Sequence, residues 1–167
     1  MKTLLSRAKT LVKNNNGAGQ TLEYVKHVEI VHPQIDLTAI FVPSLPKILL
    51  TPDESSEKWV ASGRKQITHF ITAYLVILYH QRETSIIGDE ARGLNGKGIT
   101  DFVNDFDTVF RGHRFAVNDQ NYLDKPLDIV GIQYADPIEL ENGHLLAASV
   151  RMECSRLITQ TTLPTNI

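Results

Sequence analysis

The longest unbroken pattern in the chain is KQITHFITAYLVILY, residues 65–79, fifteen residues of strand chemistry without a glycine or proline. In its first half Ile67, His69, Ile71 and Ala73 alternate with Gln66, Thr68, Phe70 and Thr72, whereas YLVILY (74–79) is apolar on both faces. At roughly 3.3 Å per residue such a strand would span about 50 Å, against about 17–20 Å for an ordinary one. One end is expected deep in a core and the other along a surface, the habit of an assembling subunit rather than a self-contained enzyme.

The remaining pattern predicts the other elements. Leu4, Leu5, Ala8, Leu11 and Val12 recur at helical spacing until NNNGAG (14–19) stops them. TLEYVKHVEIV (21–31) reads as a first strand closed by His32-Pro33, and the apolar patch within 34–45 is flanked by prolines that disfavour a central strand. KILLT (47–51) is a second strand, and the polar run 51–64 is expected to connect it to the long strand as an extended hairpin loop. A charged, glycine-rich loop follows at 80–98. Ile99, Phe102, Val103, Phe106, Val109 and Phe110 then mark a helix, with Thr100 able to cap and Gly112 placed to end it. Phe102, Phe106, Val109 and Phe110 are expected to face Ile71, Leu75 and Ile77. The opposite face, with Asp101, Asn104, Asp105 and Asp107, should look outward.

LDIVGIQYAD (127–136) and HLLAASVRMECSRL (144–157) supply further strands, with Asn142-Gly143 as a hairpin turn. This order predicts an α+β fold: an antiparallel β-sheet packed against two helices, with a long projecting β-hairpin. Residues 1–157 would form the single domain. Residues 158–167 would form an extended arm, uncharged up to the carboxylate, with Leu157, Ile158, Leu163 and Ile167 to bury on a neighbour by strand addition.

Composition narrows the function. A chain of 167 residues with 42% hydrophobic residues fills one sizeable core, and its net charge of −2 gives no general attraction to nucleic acid or acidic membranes. The charge is uneven: residues 1–27 carry Lys2, Arg7, Lys9, Lys13 and Lys26 against Glu23, leaving −6 for the remainder. A solvated helix face is the simpler account of that cluster, and proximity of Lys2, Arg7, Lys9 and Lys13 to passing DNA is the other. Cys154 is the only cysteine, so no internal disulfide or zinc-type spacing exists. No apolar run of membrane length or signal-peptide pattern is present, so a reducing cytoplasm is the expected place of synthesis.

Candidate chemistry is sparse. His80 with Glu83, Asp89 and Glu90 is the nearest approach to a ligand cluster, yet it lies in the charged loop. Asp101 and Asp105, one helical turn apart, could share a divalent ion, but no lysine or histidine stands at fixed spacing. Asp136, Glu139 and Glu141 resemble the acidic part of a nuclease core without its lysine, and GLNGKG (93–98) lacks the phosphate-loop pattern. No catalytic residue, metal or cofactor is therefore expected, and a metal-dependent nuclease is the weakest alternative. Trp59 is the only tryptophan and sits in the polar stretch SSEKWVASGRK. It suits either a protein interface or the chain's own core.

A short amphipathic helix, the KILLTP strand, WVASGRK leading into ITHFITAYLVILY, the helix of GLNGKGITDFVNDFDTVFRG, DIVGIQYADPIE and HLLAASVRMECSR follow one another. This arrangement resembles the tail terminator and tail completion proteins of long-tailed bacteriophages over most of residues 1–157. The resemblance implies a homo-oligomeric ring, typically a hexamer, in the virion at the head-tail interface, assembled in the host cytoplasm. Such a ring caps the tail tube, stops its polymerisation and joins tail to head, with DNA passing through its channel. Its partners would be itself, the tail tube protein and neck or connector proteins. A neck protein, head-tail connector or other minor tail protein is the alternative. Trp59, Arg64, Leu157, Ile158 and Leu163 are the expected interface residues.

Overall fold

The computed structural model describes residues 1–34, 36–40, 42–79, 87–88, 96–116, 120–141 and 143–159. Within them the chain forms two helices, α1 (Lys2–Asn15) and α2 (Ile99–Phe110), and six strands. The strands are β1 (His27–Ile30), β2 (Lys47–Ala61), β3 (Arg64–Tyr79), β4 (Asp128–Tyr134), β5 (Ile138–Leu140) and β6 (Gly143–Thr159). They make one mixed sheet in the order β1-β2-β3-β6-β4, with β5 also on β6. The α+β class stands, while the expectation of a purely antiparallel sheet does not: β1 runs parallel to β2, His27 opposite Lys47. Two short 3₁₀ turns, Leu37–Ala39 and Val42–Ser44, lie in the crossover that a parallel pair requires.

Both helices pack on one face of the sheet because their apolar stripes meet the alternate residues of three strands. Phe102, Phe106 and Phe110 are fully buried with Leu4, Ala8 and Val12 against Ile48, Leu50, Ile71, Leu75, Ile77, Val150 and Met152. Phe106 and Phe110 stack with centroids 4.2 Å apart. Val109 is only partly buried at the margin of that core. On the other face Leu45, Leu49, Val76, Leu145 and Ala147 form a smaller cluster, joined by Val31, Leu37 and Ile40 from the crossover and Ile138 and Leu140 from β5. Two covers at one end of the sheet explain why YLVILY is apolar on both sides.

Several boundaries differ from the pattern. Strand chemistry at 21–31 shrinks to His27–Ile30, because Leu22 and Val25 are buried in turns beside α1. The polar stretch 51–64 is strand, not loop: β2 continues to Ala61 and joins β3 through Ser62-Gly63, with Gly63 at φ 72°. Its period is broken twice, between Pro52 and Ser55, where Asp53 and Glu54 together oppose Phe70, and again between Trp59 and Ala61. A bulge of this kind shifts the inward and outward positions by one and hides the strand from pattern reading.

The outer sheet is also not a two-stranded hairpin. β6 follows β3 along its whole length, from His144 opposite Tyr79 to Thr159 opposite Arg64, so a three-stranded ribbon extends from the core. Ile158 and Thr159, assigned to the arm by sequence, belong to that ribbon. The rest of the expected arm, 160–167, and residues 80–86 and 89–95 of the loop lie outside the described residues.

At α2 the N-cap is Gly98 rather than Thr100, and the Asp101 carboxylate accepts the Gly98 N–H at 2.9 Å. Gly112, at φ 79°, follows the C-cap residue Arg111, as expected of a terminator. The acidic face is not simply solvated. Asp105 accepts the Tyr24 hydroxyl at 2.9 Å and pairs with Lys97 at 2.9 Å, tying α2 to the turn after α1. Burial and the neighbouring Asp105 carboxylate push the Tyr24 phenol far above its ordinary range.

Candidate functional site

The ribbon gathers four of the five residues expected at an interface. Trp59, Lys65 and Ile158 are cross-strand neighbours in one row, since Trp59 pairs with Lys65 and Lys65 with Ile158. Trp59 is 57% exposed and Val60 45%, so neither belongs to the chain's own core. Lys65 pairs with Glu57, and its ammonium lies 5.7 Å from the Trp59 ring centroid. Arg64 is exposed at the turn, and Leu157 and Ile158 are exposed on β6. Leu163 lies outside the described residues.

The two long sides of the ribbon differ. On β6 the Asp124 carboxylate accepts the Leu157 N–H while the Asp124 N–H donates to the Ser155 carbonyl at 3.2 Å, occupying backbone groups that a further strand would use. On β2 the outer stretch is Asp53, Glu54, Ser55, Ser56, Glu57 and Lys58, a charged edge of the kind that discourages strand pairing. Arg151 reaches back to this edge from β6. It donates to Asp53 at 2.9 Å, pairs with Glu54, and lies with its guanidinium carbon 4.3 Å from the Phe70 ring centroid. The shallow cleft around it, about 500 Å³, is lined by Thr72, Tyr74, Gln133 and Ser149. The guanidinium there is committed to two carboxylates.

The third surface was not found by sequence reasoning. β4 ends the sheet, and along it Val130, Ile132 and Tyr134 are 45%, 41% and 54% exposed. The pairing slips between Ile129 and Gly131, which places Val130 in a bulge. LDIVGIQYAD held one signal: its apolar residues do not alternate cleanly, as a strand with one wet face should.

The basic residues of α1 divide between two sides of the helix, Lys2, Lys9 and Lys13 on one and Arg7 on the other. Lys2 and Lys13 are exposed, and Lys9 is partly covered. Arg7 is used internally: it donates to the Phe115 carbonyl at 3.0 Å, and its guanidinium lies 4.3 Å from the Tyr122 ring that Arg156 also approaches, at 3.9 Å. Arg7 thus pins α1 to the segment before β4. A cleft of about 560 Å³ between α1 and residues 113–116 is lined by Lys2, Ser6, Arg7, Thr10 and His113. There His113 Nδ1 accepts the Phe115 N–H at 2.9 Å, and burial lowers the pKa of the ring.

The carboxylates weighed for nuclease chemistry are separated by their structural work. Asp101 serves the N-terminus of α2, and Asp105 serves Tyr24 and Lys97. Asp136, Glu139 and Glu141 are exposed about β5. Among the described residues no three histidine, cysteine, aspartate or glutamate side chains are grouped to hold a metal ion, and no helix is long and apolar enough to cross a membrane. His80, Glu83, Asp89 and Glu90 lie outside the described residues. Cys154 is buried on the helix face, and burial raises its thiol to about 12.

No protein-family model matches the chain, and no curated protein matches it either.

Proposed function

We propose that the chain is a structural subunit of a phage-type tail, one copy of a ring that caps the tail tube and joins it to the head. The supporting observation is the three-stranded ribbon, which carries Trp59, Val60, Leu157 and Ile158 into solvent at the end of a rigid, well-packed body. Exposed aromatic and aliphatic side chains suit a permanent protein contact, because docking removes their apolar surface from water. The role is architectural, without a catalytic step: Arg151, Asp101, Asp105 and Arg7, the most conspicuous polar groups, are all engaged in holding elements together. The likeness of element order to tail terminators supplies the ring and its hexameric count, the virion as its location, and the tube and neck proteins as partners.

Electron microscopy of the purified protein, alone and mixed with tail tubes of the particle that encodes it, tests this. Rings, or caps on tube ends that stop elongation, are expected. Tubes that keep elongating in excess protein, with no ring on the grid, would overturn the reading. Divalent-dependent cleavage of DNA by the same preparation would replace it with the nuclease alternative.

A further inference from the structure

Among the described residues, exposed apolar side chains gather at the ribbon end and along β4, and their flanking charges are opposite. The ribbon end, residues 58–66, carries Lys58, Arg64 and Lys65, with Lys65 paired to Glu57, and Arg156 on the adjoining strand. The β4–β5 margin, residues 128–143, carries Asp128, Asp136, Glu139 and Glu141 and no lysine or arginine, with Asp128 paired to Arg111 at 2.6 Å. Trp59 and Val60 head the first surface, and Ile132 and Tyr134 form the second, on the helix side of the sheet, while Val130 lines the Arg151 cleft on the other side. The two cannot satisfy each other within one molecule. Ile158, in the Trp59 row, and Ala148, opposite Tyr134, are ten positions apart on the same strand, or about 33 Å at the strand rise.

The edges themselves differ in a telling way. The outer part of β2 is guarded by Asp53, Glu54, Glu57 and Lys58, and β6 beyond β4 is covered by Asp124. β4 is guarded only at its start, by Asp128 and the bulge at Val130; beyond them it presents Ile132 and Tyr134 at the end of the sheet, with no strand on its outer side among the described residues. A lightly guarded apolar edge is the kind that is covered in an assembly.

We infer that copies of this chain associate head to tail, the basic ribbon end of one copy seating Trp59 and Val60 against the acidic-flanked β4 edge of the next. This deepens the ring reading and rests on it. A contact between two different surfaces leaves one of each free at every step, so the chain closes into a ring when the rotation per subunit divides a full turn. Opposite flanking charges orient the encounter and discourage ribbon-to-ribbon and edge-to-edge pairs. Association should accordingly weaken as salt is raised.

The test uses two full-length variants. Trp59→Ala with Arg64→Glu breaks the ribbon surface, and Ile132→Glu with Asp136→Lys breaks the edge; all four positions are exposed, so both variants should keep the wild-type melting transition. By sedimentation velocity and native mass spectrometry, the wild type should assemble, and each variant alone should associate at least about 30-fold more weakly. Mixed one to one, the variants should form a heterodimer and stop there, because a single intact ribbon meets a single intact edge. Variants that assemble like the wild type would overturn the head-to-tail contact while leaving the ring reading in place. A mixture without heterodimer would do the same, since it would mean that like surfaces pair. A wild type that is monomeric in solution yet caps tubes would assign both surfaces to the tube protein. One that is monomeric and caps nothing would remove the ring reading as well.

Discussion

Phe106 is fully buried between α2 and the sheet and stacks on Phe110 at 4.2 Å. Truncating it removes both the transfer energy of a ring and the packing around the cavity that remains. Phe106→Ala should cost about 3–5 kcal/mol, a large share of a typical total of about 5–15 kcal/mol. Urea denaturation reads this directly, and an unshifted midpoint would make the helix peripheral. Cys154 is the second informative residue. It is fully buried opposite His69, with its thiol pushed up to about 12, so the reactive thiolate is scarce and shielded. Native protein at pH 8 should therefore leave a thiol reagent unreacted over the time in which unfolded protein consumes it fully. Rapid labelling of the folded chain would show that the sheet opens at this row.

At the scale of elements, two junctions hold more than their sequence suggests. Gly88 approaches the start of α2 at φ +82°, and a Cβ there would run into the Gly96 carbonyl, the Gly98 nitrogen and the Asp101 carboxylate. Two of those neighbours are backbone and cannot swing away. Gly88→Ala should thus destabilise by about 1–3 kcal/mol, and a variant with the wild-type denaturation midpoint would show that this approach is dispensable. The second junction is the turn after α2. Burial holds the His113 pKa below its ordinary value of about 6.5, and the Phe115 N–H donates to its Nδ1. His69 is lowered in the same direction, first by burial and then by the N-terminal ammonium and Arg156. The unfolded chain takes up these protons first. Stability should be constant above the ordinary histidine range, then fall as the pH drops below about 6.5 toward the lower folded-state values. Denaturation midpoints at several pH values should show that decline, shallower in His113→Gln. An identical slope in the variant would free His113 of the effect.

For the whole molecule, the lone tryptophan reports on assembly. Trp59 stands 57% exposed at the ribbon end, beside Lys65 and Ile158. Its fluorescence should be that of a solvated indole in dilute protein, shifting to the blue and resisting quenching by iodide as subunits associate. Emission that does not change while the mass increases would place the contact elsewhere. The molecule's asymmetry gives this its meaning: both hydrophobic clusters lie toward one end of the sheet, while the ribbon's outer half is held chiefly by strand pairing and a single packed side. Such a ribbon gains from a partner, because association would bury the apolar side chains that its outer half leaves exposed.

Local period and local burial are legible in the chain, since each residue carries its own preference for water or core. That was enough for α1, for α2 with its phenylalanine stripe, for the great length of β3, and for the two-sided burial of YLVILY. A lone tryptophan in a polar stretch was likewise visible, although whether Trp59 faced a core or solvent was not. Pairing is a different kind of information. Whether β1 runs parallel to β2, whether β6 follows β3 to Thr159, and whether β4 is the last strand all depend on residues far apart in sequence. The bulge at Asp53-Glu54 erased the alternation that would have announced the outer half of β2. Val130, Ile132 and Tyr134 are apolar along the chain as core residues are; only the strand order, which puts β4 at one end of the sheet, leaves them exposed.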